Sequence, residues 1–120
     1  EIYTLSLHDA LPIFGRDISI YSLKGEYRSA AVKDIAFGVR RQVPQKSAFI
    51  ATTHENGKPQ LMVMLSDDLV EQGMDAGKMV RAAAVHIKGG GGGQKHFATA
   101  GGKEREGLSA AFDALLAQFR

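Results

Sequence analysis

Five consecutive glycines, Gly89 to Gly93, most constrain what this chain can fold into. They bring no side chain to bury and lose more backbone freedom on ordering than any other residue type. Such a run is either a linker or a place where a ligand must approach the backbone closely. The flanks argue against a linker. The run lies between a capped amphipathic helix and the apolar segment Phe97-Ala98-Thr99-Ala100-Gly101, with Lys88 and Lys95 beside it and Lys103 shortly after. The expectation is a glycine-rich loop whose successive amides form a concave anion nest, with phosphate oxygens as the natural occupants.

Charge concentrates around the same stretch. From Ala76 to Lys103 the chain carries Lys78, Arg81, Lys88, Lys95 and Lys103 with no acid, a local charge of +5 on a chain whose total is only +2. A basic patch on a near-neutral chain points to a polyanionic partner. At 120 residues there is room for one domain, and 44% hydrophobic with 23% charged residues is an ordinary globular composition without an apolar run long enough to span a membrane. With no cysteine there is no disulfide, thiolate metal site or cysteine nucleophile, and the composition suits the reducing cytoplasm, where the chain is expected to act.

Residues Glu1 to Phe14 read differently from the rest. The opening EIYTLSLHDALPIF lacks the basic start and small-residue cleavage site of a signal peptide. It resembles the translated sequence of a widely used sequencing adaptor, whose codons yield Glu1 to Ile13. On that reading 1–14 is non-native and the domain occupies 15–120, with its natural beginning upstream of Gly15.

In the remainder, hydrophobic periodicity predicts a short strand around Ile18 to Leu23, then a helix within Glu26 to Val43 whose face is Val32, Ile35, Ala36, Val39 and Val43, stopped by Pro44. Ser47 to Thr53 and Gln60 to Leu65 read as antiparallel strands joined by a tight Asn56-Gly57 turn. Leu61, Val63 and Leu65 on one side of the second strand, with Met62 and Met64 on the other, suit an interior strand. Ser66 or Asp67 caps a helical turn ended by Gly73, and Asp75 caps a longer helix to about Ile87, with Met79, Ala82, Ala83 and His86 on one face. A strand from His96 to Ala100 and a helix carrying Leu108, Ala111, Phe112, Leu115 and Phe119 complete the chain. The order β-α-β-β-α-(Gly-rich loop)-β-α predicts an α+β, α/β-like domain, a mixed β-sheet with packed helices.

Catalytic patterns are missing. A dinucleotide fingerprint would need glycine at Gln94, and the Gly-Lys pairs at Gly57, Gly77 and Gly102 lack both the following Ser/Thr and the earlier glycine of a phosphate-binding loop. His8, His54, His86 and His96 are dispersed and form no metal-ligating spacing, and Asp67-Asp68 is explained by helix capping.

The turn Asp68 to Gly73, the Ala76-Gly77 helix opening, the glycine run and Ala98-Thr99-Ala100-Gly101-Gly102 resemble, in this order, the DHH-associated domain family, found at the C-terminus of alanyl-tRNA synthetases and in DHH phosphoesterases. Many synthetases of the family carry an Arg-Pro-Asp-Met-like segment after the glycines, where this chain has Gln94, Lys95, His96 and Phe97. In the phosphoesterases a histidine follows directly, and Gln94 stands there instead. The resemblance implies a tRNA-binding domain of an alanine–tRNA ligase, inactive by itself, that positions tRNA for alanylation and editing by upstream domains of the same protein. ATP, Mg and Zn are then cofactors of those upstream domains, and this part holds none. Nucleic-acid contacts are expected from Lys88, Gly89, Gly90, Gly91, Gly92, Gly93, Gln94, Lys95, His96, Thr99, Gly101, Gly102 and Lys103, with Phe97 expected in the core rather than stacked on a base. The alternatives are a substrate-clamping domain of a DHH phosphoesterase and a homodimerisation module built on the Leu108 to Phe119 helix.

Overall fold

The computed structural model describes residues 19–42 and 45–118. The adaptor-like segment 1–14, the start of the first expected strand, Val43, Pro44 and Phe119 lie outside the described residues. The described elements are β1 (Ser19–Glu26), α1 (Ser29–Gln42), β2 (Ser47–Glu55), β3 (Lys58–Leu65), α2 (Asp67–Glu71), α3 (Ala76–Ala84), β4 (Gly90–Gly93), β5 (Phe97–Gly101) and α4 (Leu108–Ala117), with short 3-10 turns at Val85–Ile87 and Arg105–Gly107.

The strands form one five-stranded sheet in the order β1-β2-β3-β5-β4. β1 and β2 run parallel, which demands a crossover, and α1 supplies it. The other pairings among the described residues are antiparallel. At the β2–β3 turn both Asn56 and Gly57 have positive φ, 54° and 79°, the geometry that lets a two-residue loop follow the twist of its strands.

Alternation divides the core into two faces. Ile20, Ala48, Ile50, Leu61, Val63, Leu65, Ala98 and Ala100 meet α3 and α4, while Tyr21, Leu23, Phe49, Ala51, Met62 and Met64 meet Val32 and Ala36 of α1. Among the described residues α3 and α4, with Leu69 of α2, cover the first face, and α1 packs on the second, against β2 and β3. Beyond α1 that second face stays open over β5. Phe97 closes part of the gap, its ring 5.5 Å from that of Phe37, and so sits at the edge of the core as expected.

Three expectations need correction. The glycine run is not a loop: Gly90–Gly93 is an edge strand paired with β5, Gly91 opposite Ala100 and Gly93 opposite Ala98. The buried stripe of α3 is Ala76, Met79, Val80, Ala83 and Ala84, continued by Ile87, whereas Ala82 and His86 are exposed. Spacings of three and four fit both stripes, and the bulk of Val80 and Ile87 decides between them. Ser66 stands at the N-cap of α2 without a side-chain capping bond; its Oγ accepts the Ser47 N–H at 3.1 Å instead.

The tie between the α1–β2 connection and α2 is electrostatic. The Lys46 N–H, in a left-handed residue (φ 52°), donates to both Asp68 carboxylate oxygens at 3.1 and 3.0 Å, and Arg40 Nη2 reaches Asp67 Oδ1 at 2.8 Å. Burial raises the Asp68 pKa, but hydrogen bonds from Ser66 and from the amides of Lys46, Asp68 and Leu69 outweigh it and hold the carboxyl below its usual 3.8. A depressed folded-state pKa stabilises fully above the unfolded value and loses that contribution as pH falls below it. Asp68→Asn is therefore expected to cost about 1 kcal/mol at pH 7, and urea titrations should show the gap from wild type narrowing at a pH below the usual 3.8. An equal gap at both pH values would remove the charge from this account.

Candidate nucleic-acid interface

The open face of the sheet contains a cleft of about 860 Å³. Its floor is the outer end of β3 (Pro59 to Met62) beside Thr99, Ala100 and Gly101 of β5. One wall is Ser29 and Val32 of α1 with Thr53, Glu55 and Asn56; the other is Lys88, Gly89, Gly102 and Lys103. Lys58 stands at the hairpin end.

Two distant segments must approach closely to make the lysine wall. The amides of Lys103 and Glu104 both donate to the Ile87 carbonyl, at 2.8 and 2.9 Å, and the Gly102 amide donates to Pro59 O at 3.2 Å. A Cβ on Gly102 would collide with the Ile87 carbonyl, so only glycine lets the segment carrying Lys103 lie against the turn carrying Lys88. Lys88 is itself left-handed, φ 53°, a conformation that glycine adopts at lower cost. Lys88 Nζ lies 3.4 Å from Glu104 Oε1, an exposed pair that leaves it within the cleft wall.

Of the residues expected to touch nucleic acid, the fold gathers Lys88, Gly89, Thr99, Gly101, Gly102 and Lys103 around the cleft. The others go elsewhere. Gln94, Lys95 and His96 form the β4–β5 connection, at the opposite end of β5 and about 13 Å along the strand from Gly101. Their backbones are engaged: Gln94 N–H donates to Phe97 O, Ala76 N–H to Lys95 O and Leu65 N–H to His96 O, all between 2.8 and 2.9 Å. Gly90, Gly91, Gly92 and Gly93 do not line the cleft. The anion nest is also overturned, because it needs alternating right- and left-handed residues, and from Gly89 to Gly93 only Gly93 has a positive φ, 156°. The glycines serve backbone packing instead. A Cβ at Gly91 would fall on Thr99 O and on Ala100, so side-chain-free residues are what bring β4 into place on β5.

Sequence reasoning missed Ser29, Glu55, Lys58 and Gln60. The cleft forms only where the β2–β3 hairpin end meets the start of α1 and the 88–103 segments, contacts among residues far apart in the chain. Among the described residues no three His, Asp or Glu side chains gather closely enough to hold a metal ion, and no helix is long and apolar enough to cross a membrane. In α4, the helix of the alternative dimerisation reading, Ala111 and Leu115 enter the domain's own core, with Leu108, Phe112 and Leu116 partly buried against it.

With this geometry in place, comparison with known proteins gives a consistent result. The DHHA1 domain family matches residues 17–120. The chain belongs to that family. As a DHHA1 domain it is 48% identical over 98 residues to the alanine–tRNA ligase of Parabacteroides distasonis, covering 82% of this chain, and 49% identical over 104 residues to that of Porphyromonas gingivalis, covering 86%. It spans only 11% and 12% of those two ligases. The C-Ala domain of Aquifex aeolicus alanyl-tRNA synthetase superposes with a TM-score of 0.74 at 20% identity, covering 86% of this chain and 92% of that domain, and shares the fold. A DHH-domain protein described as a member of a family of ribosomal proteins matches the fold with a TM-score of 0.64 at 13% identity, over 93% of this chain and 28% of its own length. This DHHA1 domain is thus a homologue of the C-terminal domain of alanine–tRNA ligases.

Proposed function

We propose that this DHHA1 domain is the C-terminal part of an alanine–tRNA ligase and that it binds tRNA through the cleft, in the cytoplasm, for alanylation and editing by domains upstream in the same protein. The observation that carries the reading is the convergence of Lys58, Lys88 and Lys103 on an open stretch of sheet. Three cations around a concave, hydrogen-bonding surface match a phosphate backbone, the dominant source of nucleic-acid affinity. Thr99 and the exposed backbone of Gly101 add neutral polar groups to the same surface.

Tight binding of a tRNA transcript, weakening as salt rises with a log–log slope of about −0.7 to −0.9 per phosphate engaged, is the expected result. Binding that ignores salt would exclude the lysine cleft as the interface. ATP, magnesium and zinc belong on this reading to the upstream domains. The isolated chain is expected neither to form alanyl-adenylate from alanine and ATP nor to deacylate mischarged tRNA, because the cleft holds no acid–base pair around a nucleophile. Pyrophosphate exchange and deacylation assays check this, and turnover above a blank preparation would contradict it.

A further inference from the structure

Among the described residues that line the cleft, Glu55 is the one carboxylate, and it stands opposite the lysine wall. A negative charge in a phosphate-binding cleft lowers affinity through repulsion, so its presence there requires another use. It does not neutralise Lys58, its cross-strand neighbour, since among the described residues no ion pair joins the two. The Glu55 carboxylate instead accepts the Ser29 N–H at 3.2 Å, at the first turn of α1. The Ser29 hydroxyl donates to Gln60 Oε1, and Gln60 Nε2 donates to Tyr27 O at 3.2 Å. This chain of bonds fixes the carboxylate in place. Glu55 is half-buried in the wall, and a carboxylate has more acceptor positions than Ser29 occupies.

Resting on the tRNA-binding reading, we propose that Glu55 is a specificity-determining residue: it accepts a hydrogen bond from a donor on the bound nucleotide, either an amino or imino group of a base edge or a ribose 2′-hydroxyl, while Lys58, Lys88 and Lys103 hold phosphate. The two walls then divide the work. The lysines provide attraction common to all polyanions, and Glu55 penalises any that offers no donor to offset the repulsion. A carboxylate is the side chain suited to such a task, as in the pairing of Glu with the cytosine amino group. The cleft has room for this: 860 Å³ is within the range of sites that enclose a small ligand, enough for a single splayed nucleotide.

Glu55→Gln separates this role from simple helix capping, because the amide oxygen still accepts the Ser29 N–H while the charge is lost. Polyphosphate, a polyanion without donors, and a tRNA transcript are the two probes, with the 120-residue chain titrated against each at fixed salt. The variant is expected to bind polyphosphate about two- to threefold tighter and tRNA about fivefold weaker, since a charge-assisted hydrogen bond is roughly twice as strong as a neutral one. Glu55→Asp, shorter but still charged, should also weaken tRNA binding while leaving polyphosphate unchanged. A DNA copy of the tRNA sequence identifies the donor: a base-edge donor predicts the same loss for Glu55→Gln on DNA, and a 2′-hydroxyl predicts the tightening expected with polyphosphate. If Glu55→Gln tightens tRNA and polyphosphate by the same factor, Glu55 is a cap only and the proposal is overturned. If the wild-type chain binds polyphosphate but shows no preference for tRNA, the donor role is likewise overturned. If it binds neither, the tRNA-binding reading itself fails.

Discussion

Gly91→Ala is expected to destabilise the domain by about 3 kcal/mol or more, a large part of the stability of a chain this size. The ideal Cβ at Gly91 would lie on Thr99 O and on the Cα and Cβ of Ala100, which is buried and flanked by β3. Neither strand can yield cheaply. Moving β5 disturbs its pairing with the central strand β3, and moving β4 breaks its pairing with β5 and its packing on α3. Gly90→Ala is the control one residue away, because a Cβ there meets nothing within 4 Å. Its cost should be no more than a few tenths of a kcal/mol, the range of ordinary surface substitutions. Urea denaturation of both variants decides the matter. Equal effects at the two positions would mean that the run is tolerant of side chains and that close backbone approach is not why glycine stands there.

Removing the three cleft cations should have the largest effect on binding. With Lys58 and Lys103 changed to Ala and Lys88 to Gly, tRNA affinity at about 50 mM salt is expected to fall by about one to two orders of magnitude, and the salt slope to flatten by about two, close to one contact per lysine. Glycine is chosen at position 88 because its φ of 53° suits glycine, so Lys88→Gly alone should leave stability unchanged or raise it by several tenths of a kcal/mol while still weakening tRNA. A variant that gains stability and loses binding cannot owe the loss to unfolding. The matching control is Lys78→Ala with Lys95→Ala, equal in charge type but outside the cleft. If those two matter as much as the cleft lysines, the charge acts diffusely and the cleft is not the interface.

These expectations show where a linear reading of the chain succeeds. The alternation of Leu61, Val63 and Leu65 against Met62 and Met64 made β3 an interior strand, and the two sets do pack on opposite faces. Asn56-Gly57 specified the hairpin, and Asp75 caps α3 by accepting the Lys78 amide at 3.3 Å. Each of these depends on neighbours within a few residues, which periodicity and turn chemistry report directly.

The glycine run shows where that reading stops. Gly90 to Gly93 have no side chains from which a period could be read, so nothing local distinguishes a strand from a loop, and the partner that makes them a strand is β5 across a turn. The failure of the nest has the same origin: backbone handedness at a glycine is set by what surrounds it. α3 was a milder case, with two stripes of equal spacing between which the bulk of Val80 and Ile87 chose.

By itself, the sequence determined the elements other than β4, the mixed α+β class, the membership in the DHHA1 family and the presence of a basic segment, because propensity, alternation and motif order are written along the chain. Only the tertiary structure decided which charges act together. It divided a run of five cations, sending Lys88 and Lys103 to the cleft and Lys95 to the far end of β5, and it added Lys58, Glu55 and Ser29 from other elements. The physical reason is the sheet order: β5 inserts between β3 and β4, so residues far apart in the chain become neighbours, while Lys95 and Lys103, close in sequence, are separated by the length of a strand.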